Sequence, residues 1–376
     1  MFTPLTPSDL SRAAASARIY CRPTAFVDRP HELDDACLRI ADTMVWFAAW
    51  HVSLVDGGDV RSAIVTVPDL SQWIAAMPSA LGEGAQRQVA AVQRPRGALQ
   101  LGARTVRLNE PQVMGILNVT PDSFSDGSKH VDAQAASDAG FAMAAAGAAI
   151  IDVGGESTRP GAPLVWEGDE VGRIEPVVAA LAKGGVAVSI DTRKAAVMEA
   201  ALAAGAAIVN DISALRYDER ALELVAKAAC PVVLMHAPSA KSDPHEGGDY
   251  AHPLFDVYEM LAARVAACTA AGIDAARIIV DPGIGFGKGV ADNLALVNGL
   301  ALFHTLGPPI LFGASRKRMI GALDGEAAAD ARLGGSIALH YQAASQGAQL
   351  LRVHDVPETR QALRMWRGLR DAALVG

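Results

Sequence analysis

Aromatic side chains, sulfur and positive charge are all scarce in this chain. Aromatics make up 5% of its 376 residues, although 51% are hydrophobic and Ala and Gly are abundant. Small side chains in that proportion favour tightly packed helices and strands over a disordered or fibrous chain. The formal net charge is −8, and without a cationic excess no broad nucleic-acid surface is expected. The four cysteines, Cys21, Cys37, Cys230 and Cys268, show no CxxC spacing, so they read as reduced thiols of a cytoplasmic protein and not as a zinc site. No apolar run reaches the roughly 20 residues that cross a bilayer. The nearest early one, Met44 to Val55, is interrupted by His51 and reads as a core helix or strand. The first residues have no basic segment leading into an apolar one, so neither a secretory signal nor a membrane partner is expected.

What is present divides into two parts. Residues 1–96 read as a small α+β extension of unknown role. Within it, Pro30 to Ile40 has helical spacing, and Gly57-Gly58 can turn a hairpin between Trp50–Val55 and Ala63–Val67. Asp69 can cap a helix running to Ala80, and Ala85 to Pro95 reads as a linker. Ala98 to Leu108 reads as two short strands around a Gly turn, placed to plug one mouth of a barrel.

Residues 97–376 then settle into a repeating alternation. Short apolar runs, Val113–Val119, Ala149–Val153, Val186–Ile190, Ala207–Asn210, Val232–Met235, Ile278–Val280, Ile310–Phe312 and Leu350–Val353, alternate with Ala-rich helical stretches. Strands buried on both faces read as continuous apolar runs. Repeated βα units with no GxGxxG turn after the first strand point to an α/β protein with a (β/α)8 TIM barrel rather than an open dinucleotide-binding sheet.

A barrel of this kind works at the carboxyl ends of its strands. Those ends carry Asn118; Asp152 with Glu156; Asp191; Asn210-Asp211; Met235-His236; Asp281; Ser315-Arg316-Lys317; and Arg352 with His354. Buried without partners, such groups are costly. Together they suit a flat heterocycle with an amide-like edge. Asp281 and Asn210 can pair with ring nitrogens and an amine, Lys317 can donate to a ring carbonyl, and Arg352 can stack on the ring or bind phosphate. Asn118 can ligate Mg²⁺ while a diphosphate supplies other hard oxygens, with Arg352 and His354 neutralising that leaving group.

The wording of the strand ends is also specific. Met114-Gly-Ile-Leu-Asn-Val-Thr-Pro-Asp-Ser-Phe-Ser-Asp-Gly127 opens the series, followed by Asp152-Val-Gly-Gly-Glu-Ser-Thr-Arg-Pro160, Ser189-Ile-Asp-Thr-Arg193 and Val209-Asn-Asp-Ile212. Leu234-Met-His236, Asp281-Pro-Gly-Ile-Gly-Phe-Gly-Lys288, Ser315-Arg-Lys317 and Arg352-Val-His-Asp355 complete it. This ordered set resembles the dihydropteroate synthase family, over roughly Leu101 to Leu369. The resemblance implies a transferase joining 6-hydroxymethyl-7,8-dihydropterin diphosphate to 4-aminobenzoate in folate biosynthesis. It assigns Asp191, Asn210, Asp281, Lys317 and Arg352 to the pterin, with Met235, Gly285 and Phe286 lining the pocket. Asn118 becomes the Mg²⁺–diphosphate ligand, and Asn118, Asp191, Lys317 and Arg352 the catalytic set. Thr158, Arg159, Pro160, Ser315 and Phe124 are placed around the arylamine. A homodimer through the last barrel helices is also implied.

Other readings weigh less. Gly283 to Gly289 lacks the residues of a phosphate-binding P-loop, with Pro282 and Gly289 where Gly and Ser or Thr are required. His236, His245 and His252 do not make a metal cluster, since the last two fall in a polar loop expected to be solvated. Arg193 and Lys194 are expected to start a helix and face solvent. A corrinoid-linked methyltransferase barrel shares the Asp, Asn and Asp set but has no need of Ser157-Thr-Arg-Pro160. A non-catalytic pterin-binding scaffold is the remaining alternative.

Overall fold

The short apolar runs form eight parallel strands: β1 (Gln112–Asn118), β2 (Ile150–Gly154), β3 (Val188–Asp191), β4 (Ile208–Asp211), β5 (Val232–Met235), β6 (Ile278–Asp281), β7 (Leu311–Phe312) and β8 (Leu350–Val353). This computed structural model describes residues 3–375 except 34, 121–128, 160 and 242, and only the backbone of 129–132. Neighbouring strands pair in sequence order, β8 pairs with β1, and a parallel bridge from Val280 to Ile310 closes the ring. In β5 Val232, Val233 and Leu234 are all fully buried, because successive residues face the barrel interior and the helix layer in turn.

The outer layer is α1 (Lys129–Ala145), α2 (Glu167–Lys183), α3 (Ala195–Ala204), α4 (Ala221–Ala228), α5 (Pro253–Ala270), α6 (Val290–Asn298), α7 (Arg318–Leu323), α8 (Leu333–Ser345) and α9 (Val356–Val375). The stretch from Val290 to Leu306 is not one helix: it breaks at Gly299, where a Cβ would meet Leu254 at 2.5 Å, and continues as a 3₁₀ turn, Leu300–Leu306. The short α7 carries too few residues to show a helical period.

The expected hairpin pairs Leu99–Leu101 with Arg104–Val106. Its Leu99, Leu101 and Val106, with Leu108, form one buried cluster with Met114, Ile150, Ile208, Ile279, Leu311 and Leu350. Those are residues at or near the amino ends of their strands, so the hairpin stoppers the mouth opposite the catalytic rim.

Ahead of the barrel lies a five-stranded sheet centred on Trp46–Asp56, which pairs antiparallel with Arg18–Val27 and Asp59–Thr66 across Gly57-Gly58. Three local expectations change here. Pro30 to Ile40 is not a helix: it holds a 3₁₀ turn, Pro30–Glu32, and Leu38–Arg39, which pairs with Phe47 and Trp46. The strand partner outcompetes local helical spacing. The helix after Asp69 stops at Ala75, and a second, Ser79–Gln93, starts after Pro78 and runs through the stretch expected to be a linker. Asp69 makes no capping bond, because its carboxylate accepts from the Thr66 hydroxyl at 2.5 Å.

The sheet docks on the outer face of the barrel. Tyr20 stacks on Phe255 of α5 with centroids 4.3 Å apart, meets Tyr258 edge-on, and donates its hydroxyl to Glu259 at 2.7 Å. Arg96 donates to the His304 carbonyl at 3.1 Å, and Arg370 of α9 donates to Met44 O at 2.9 Å. No described helix is long and apolar enough to cross a membrane.

Candidate active site

Parallel register brings the strand ends to one rim. Asn118 stands beside Gly154, Gly154 beside Asp191, and Asp191 beside Asn210, while Met235 stands beside Asp281. Across the ring, Arg352 of β8 donates from Nε to Asp152 Oδ2 at 2.6 Å and from Nη2 to Asp191 Oδ2 at 2.5 Å. Asn210 Nδ2 donates to the same Asp152 oxygen at 2.9 Å. Asp152, fully buried on β2 and expected at a strand end, therefore belongs to the cluster, although the expected pterin-binding and catalytic sets leave it out. A lone acid inside an otherwise apolar run, Ile151-Asp-Val153, is the sequence signal that marks it.

Burial sets the protonation of this rim. It pushes the Asp191 carboxyl up to about 7, opposed by Arg352 and reinforced by Asp152. Asp281 is pushed up to about 6 by burial, opposed by the Gly283 N–H that its Oδ1 accepts at 2.7 Å. Lys317 falls to about 8 through burial and the Arg352 charge, with Asp281 pulling the other way. Burial also works against the Arg352 guanidinium, but Asp152 and Asp191 outweigh it and hold the proton.

The loop after β6 explains why its sequence is glycine-rich. Gly283 has φ +68, and a Cβ there would lie 1.9 Å from the His236 carbonyl oxygen. Gly285 has φ +82 and faces the Lys317 stem, 2.9 Å from where a Cβ would stand. Lys288 draws the loop together, donating to the Gly283 and Phe286 carbonyls at 2.9 and 3.0 Å with His236 Nδ1 3.0 Å away. His236 is driven down to about 2 by burial and Lys288, so its ring is neutral and Nδ1 can accept a hydrogen bond from Lys288. Phe286 packs with Met235, Ile212 and Ala237, and Lys317 Nζ sits 4.1 Å from its ring centroid.

The loop after β2 supplies a second region. Ser157, Thr158 and the exposed Arg159 line a cavity of about 180 Å³ with Glu156, Arg193 and Ile212. A larger open depression of about 860 Å³, walled by Trp166, Tyr217 and Arg220, shares Leu164 and Lys241 with it and is lined by none of Asp152, Asp191, Asn210 or Arg352. Pro160 and Phe124, both expected at the arylamine, lie outside the described residues. Ser315 does not line the cavity: its hydroxyl lies 3.0 Å from His354 Nδ1. Burial and Arg352 lower His354 to about 4, so the neutral ring offers a hydrogen bond, not a charge.

The solvent-facing expectation for Arg193 and Lys194 does not hold. Lys194 is 7% exposed and joins Glu170 at 2.7 Å, Glu156 at 3.1 Å and the Val165 carbonyl at 2.6 Å, and Arg193 packs over Tyr217. Two inward carboxylates, Glu156 and Glu170, keep these cations inside and tie the β2 loop to α3. His245, expected in a solvated loop, is part-buried against Phe286.

Residues 114–354 match the pterin binding enzyme family. A dihydropteroate synthase from Neisseria meningitidis serogroup B is 44% identical over 280 residues, spanning 73% of this chain and 98% of that protein. The chain belongs to the dihydropteroate synthase family. Solved structures agree: the Xanthomonas albilineans dihydropteroate synthase with 4-aminobenzoic acid is 45% identical, with a TM-score of 0.69 over 73% of this chain and 98% of that one. The same enzyme in complex with 7,8-dihydropteroate is 43% identical, with a TM-score of 0.66 over the same shares. Membership in the dihydropteroate synthase family sets aside both the corrinoid methyltransferase and the non-catalytic scaffold.

Proposed function

We propose that this protein condenses 6-hydroxymethyl-7,8-dihydropterin diphosphate with 4-aminobenzoate, releasing 7,8-dihydropteroate and diphosphate. The observation that carries this reading is the gathering of Asp152, Asp191 and Asn210 around Arg352, beside Lys317 and Phe286, on one rim of the barrel. Asp191 and Asp281 each give one oxygen to the protein, leaving the other for ring N–H groups of the pterin. Lys317 donates to the ring's acceptor edge, and Met235, Gly285 and Phe286 form its apolar wall. Arg352, already holding two carboxylates, keeps them aimed inward and offers its remaining face to the ring and diphosphate.

The reaction breaks the methylene C–O bond with its electron pair going to diphosphate, and the arylamine nitrogen then bonds to that carbon and sheds a proton to water. The amine is neutral near pH 7, so its lone pair needs no strong base. Among the described residues no group of three or more His, Cys, Asp or Glu side chains is placed to hold a metal. Asn118 offers a neutral amide oxygen on the rim, 3.7 Å from where a Gly154 Cβ would stand. That donor suits Mg²⁺, which usually takes few protein ligands and completes its shell from substrate phosphates and water. When bound there, Mg²⁺ would supply charge neutralisation at the leaving group. His354 and Arg352 face the same diphosphate as hydrogen-bond donor and cation, Ser315 holds the His354 ring, and Thr158 and Arg159 flank the arylamine, the role the family resemblance also gives Pro160 and Phe124.

Diphosphate release tests the reading: it should require both the pterin diphosphate and 4-aminobenzoate, and equal release without the arylamine would refute it. The pH profile adds a sharper result. The wild-type kcat/KM for the pterin diphosphate should rise as Asp281 and Asp191 ionise through about 6 to 7, then fall as Lys317 loses its proton through about 8. Lys317→Arg keeps its proton, so the alkaline fall should move well above pH 9 or vanish, by about the difference between ordinary Lys and Arg values. An unchanged alkaline limb would take Lys317 out of pterin binding. Arg159→Ala should raise KM for 4-aminobenzoate roughly tenfold, as for a lost charged hydrogen bond, with little change in pterin Kd. Equal losses in both would move Arg159 to the diphosphate.

The first 96 residues form an appended unit ahead of the pterin-binding barrel of residues 97–376. Leu323, Met365 and Leu369 expose large apolar side chains on α7 and α9, consistent with a homodimer through the last barrel helices. Sedimentation equilibrium checks this, a monomer mass counting against it. Four free thiols suit a reducing cytoplasm, to be checked by fractionation.

A further inference from the structure

The loop between β5 and α5 lays one imidazole across two substrate loops. His245 Nε2 lies 2.6 Å from the carbonyl oxygen of Thr158, in the loop after β2, and Nδ1 lies 3.1 Å from the carbonyl oxygen of Gly285, in the loop after β6. Its ring stacks on Phe286 with centroids 4.8 Å apart and planes 15° from parallel. Both neighbours are acceptors only. A neutral imidazole has a single N–H and would turn a lone pair toward one of them, so both contacts are hydrogen bonds only in the imidazolium form.

The surroundings hold the ring in place. Asp243 Oδ1 accepts the His245 backbone N–H at 2.8 Å. Pro238 packs against Gly287 so closely that a Cβ there would lie 2.2 Å from its ring. The charged groups near the imidazole come from each element around it. Asp243 and Lys241 lie on its own loop and Arg159 follows Thr158, all three lining the smaller cavity. Lys317 sits over the Phe286 ring, and Lys288 bonds the Phe286 carbonyl.

We propose that His245 is a positioning residue, a latch that ties the arylamine loop at Thr158 to the pterin loop at Gly285 and Phe286. It touches neither reacting atom. Its effect is to fix the distance between the two substrates, the quantity to which a bimolecular step on an enzyme is most sensitive. The proposal rests on the assignment of Thr158 and Phe286 to the two substrates given above.

His245→Phe keeps the stack on Phe286 and removes both bonds, while His245→Arg keeps a planar group with several N–H donors. In the full-length protein, His245→Phe should show KM for 4-aminobenzoate raised roughly tenfold, with pterin Kd within about twofold of wild type. His245→Arg should restore a low KM. Amide hydrogen exchange of residues 156–159, read without substrate, should be faster in His245→Phe than in wild type. Exchange and KM unchanged in His245→Phe would overturn the latch, as would equal losses in pterin Kd and KM. Wild-type protein without coupled diphosphate release would refute the functional reading, yet leave the exchange result to decide the latch.

Discussion

Replacing Arg352 with leucine is expected to remove activity and to cost about 3–5 kcal/mol of stability at pH 8, as when one partner of a buried ion pair is deleted. Leucine fills much of the same space, so the loss is electrostatic. Asp152, fully buried, would keep only the Asn210 amide on Oδ2, and its Oδ1 already has no hydrogen-bond partner among the described residues. Asp191 would lose the cation that most lowers its pKa, which burial already holds at about 7. The sign then follows. A carboxyl whose folded pKa lies above its unfolded value contributes stability that is complete below the unfolded pKa and is lost as pH rises through the folded one. The variant should therefore be most stable near pH 4–5 and weaken steadily to pH 8, more steeply than wild type. Urea melts at pH 5 and 8 measure this. A variant as stable as wild type at pH 8 would show that Arg352 is not what keeps these carboxylates inside.

How much of this was legible beforehand depends on the range of the interaction that decides each residue. Barrel strands were readable because burial on both faces leaves only apolar residues, and β5 and β8 run over the very residues their apolar runs span. The hairpin plug was readable for the same reason, as alternation around Gly102. The extension was harder. Leu38–Arg39 takes its conformation from Phe47 and Trp46 across a turn, and nothing within Pro30 to Ile40 announces that partner. At the site, single polar residues closing apolar runs, such as Asp191 and Asp281, stood out. Asp152 stood out less as a ligand because its role depends on Arg352, 200 residues away. Lys194 and His245 were read from neighbours in sequence that are polar, although each is held by groups on other loops, Glu156 and Glu170 for the first and Thr158 and Gly285 for the second.

Tyr20→Ala should cost about 3–5 kcal/mol, the range for emptying a large aromatic site, even though Tyr20 is far from the catalytic rim in sequence. The side chain is 1% exposed and fills the seam between the N-terminal sheet and α5, stacked on Phe255 and edge-on to Tyr258. Tyr20→Phe isolates the hydroxyl bond to Glu259 and should cost only about 1 kcal/mol. The two variants together separate packing from hydrogen bonding at the seam. Removing residues 1–96 altogether goes further, because it strips Tyr20 from α5 and the Arg96 guanidinium from the His304 carbonyl at once. One buried apolar cluster includes Tyr20, Phe47 and Val52 from the sheet together with Tyr258, Leu261 and Phe303 from the barrel side. A barrel deprived of that cover would present those residues to water, and a truncated chain should aggregate or melt well below the full-length protein. Thermal melts and the soluble fraction on expression measure the difference. If the truncated chain melts with the full-length protein and turns over equally fast, the sheet is a passenger and the seam contributes nothing to the fold of the barrel.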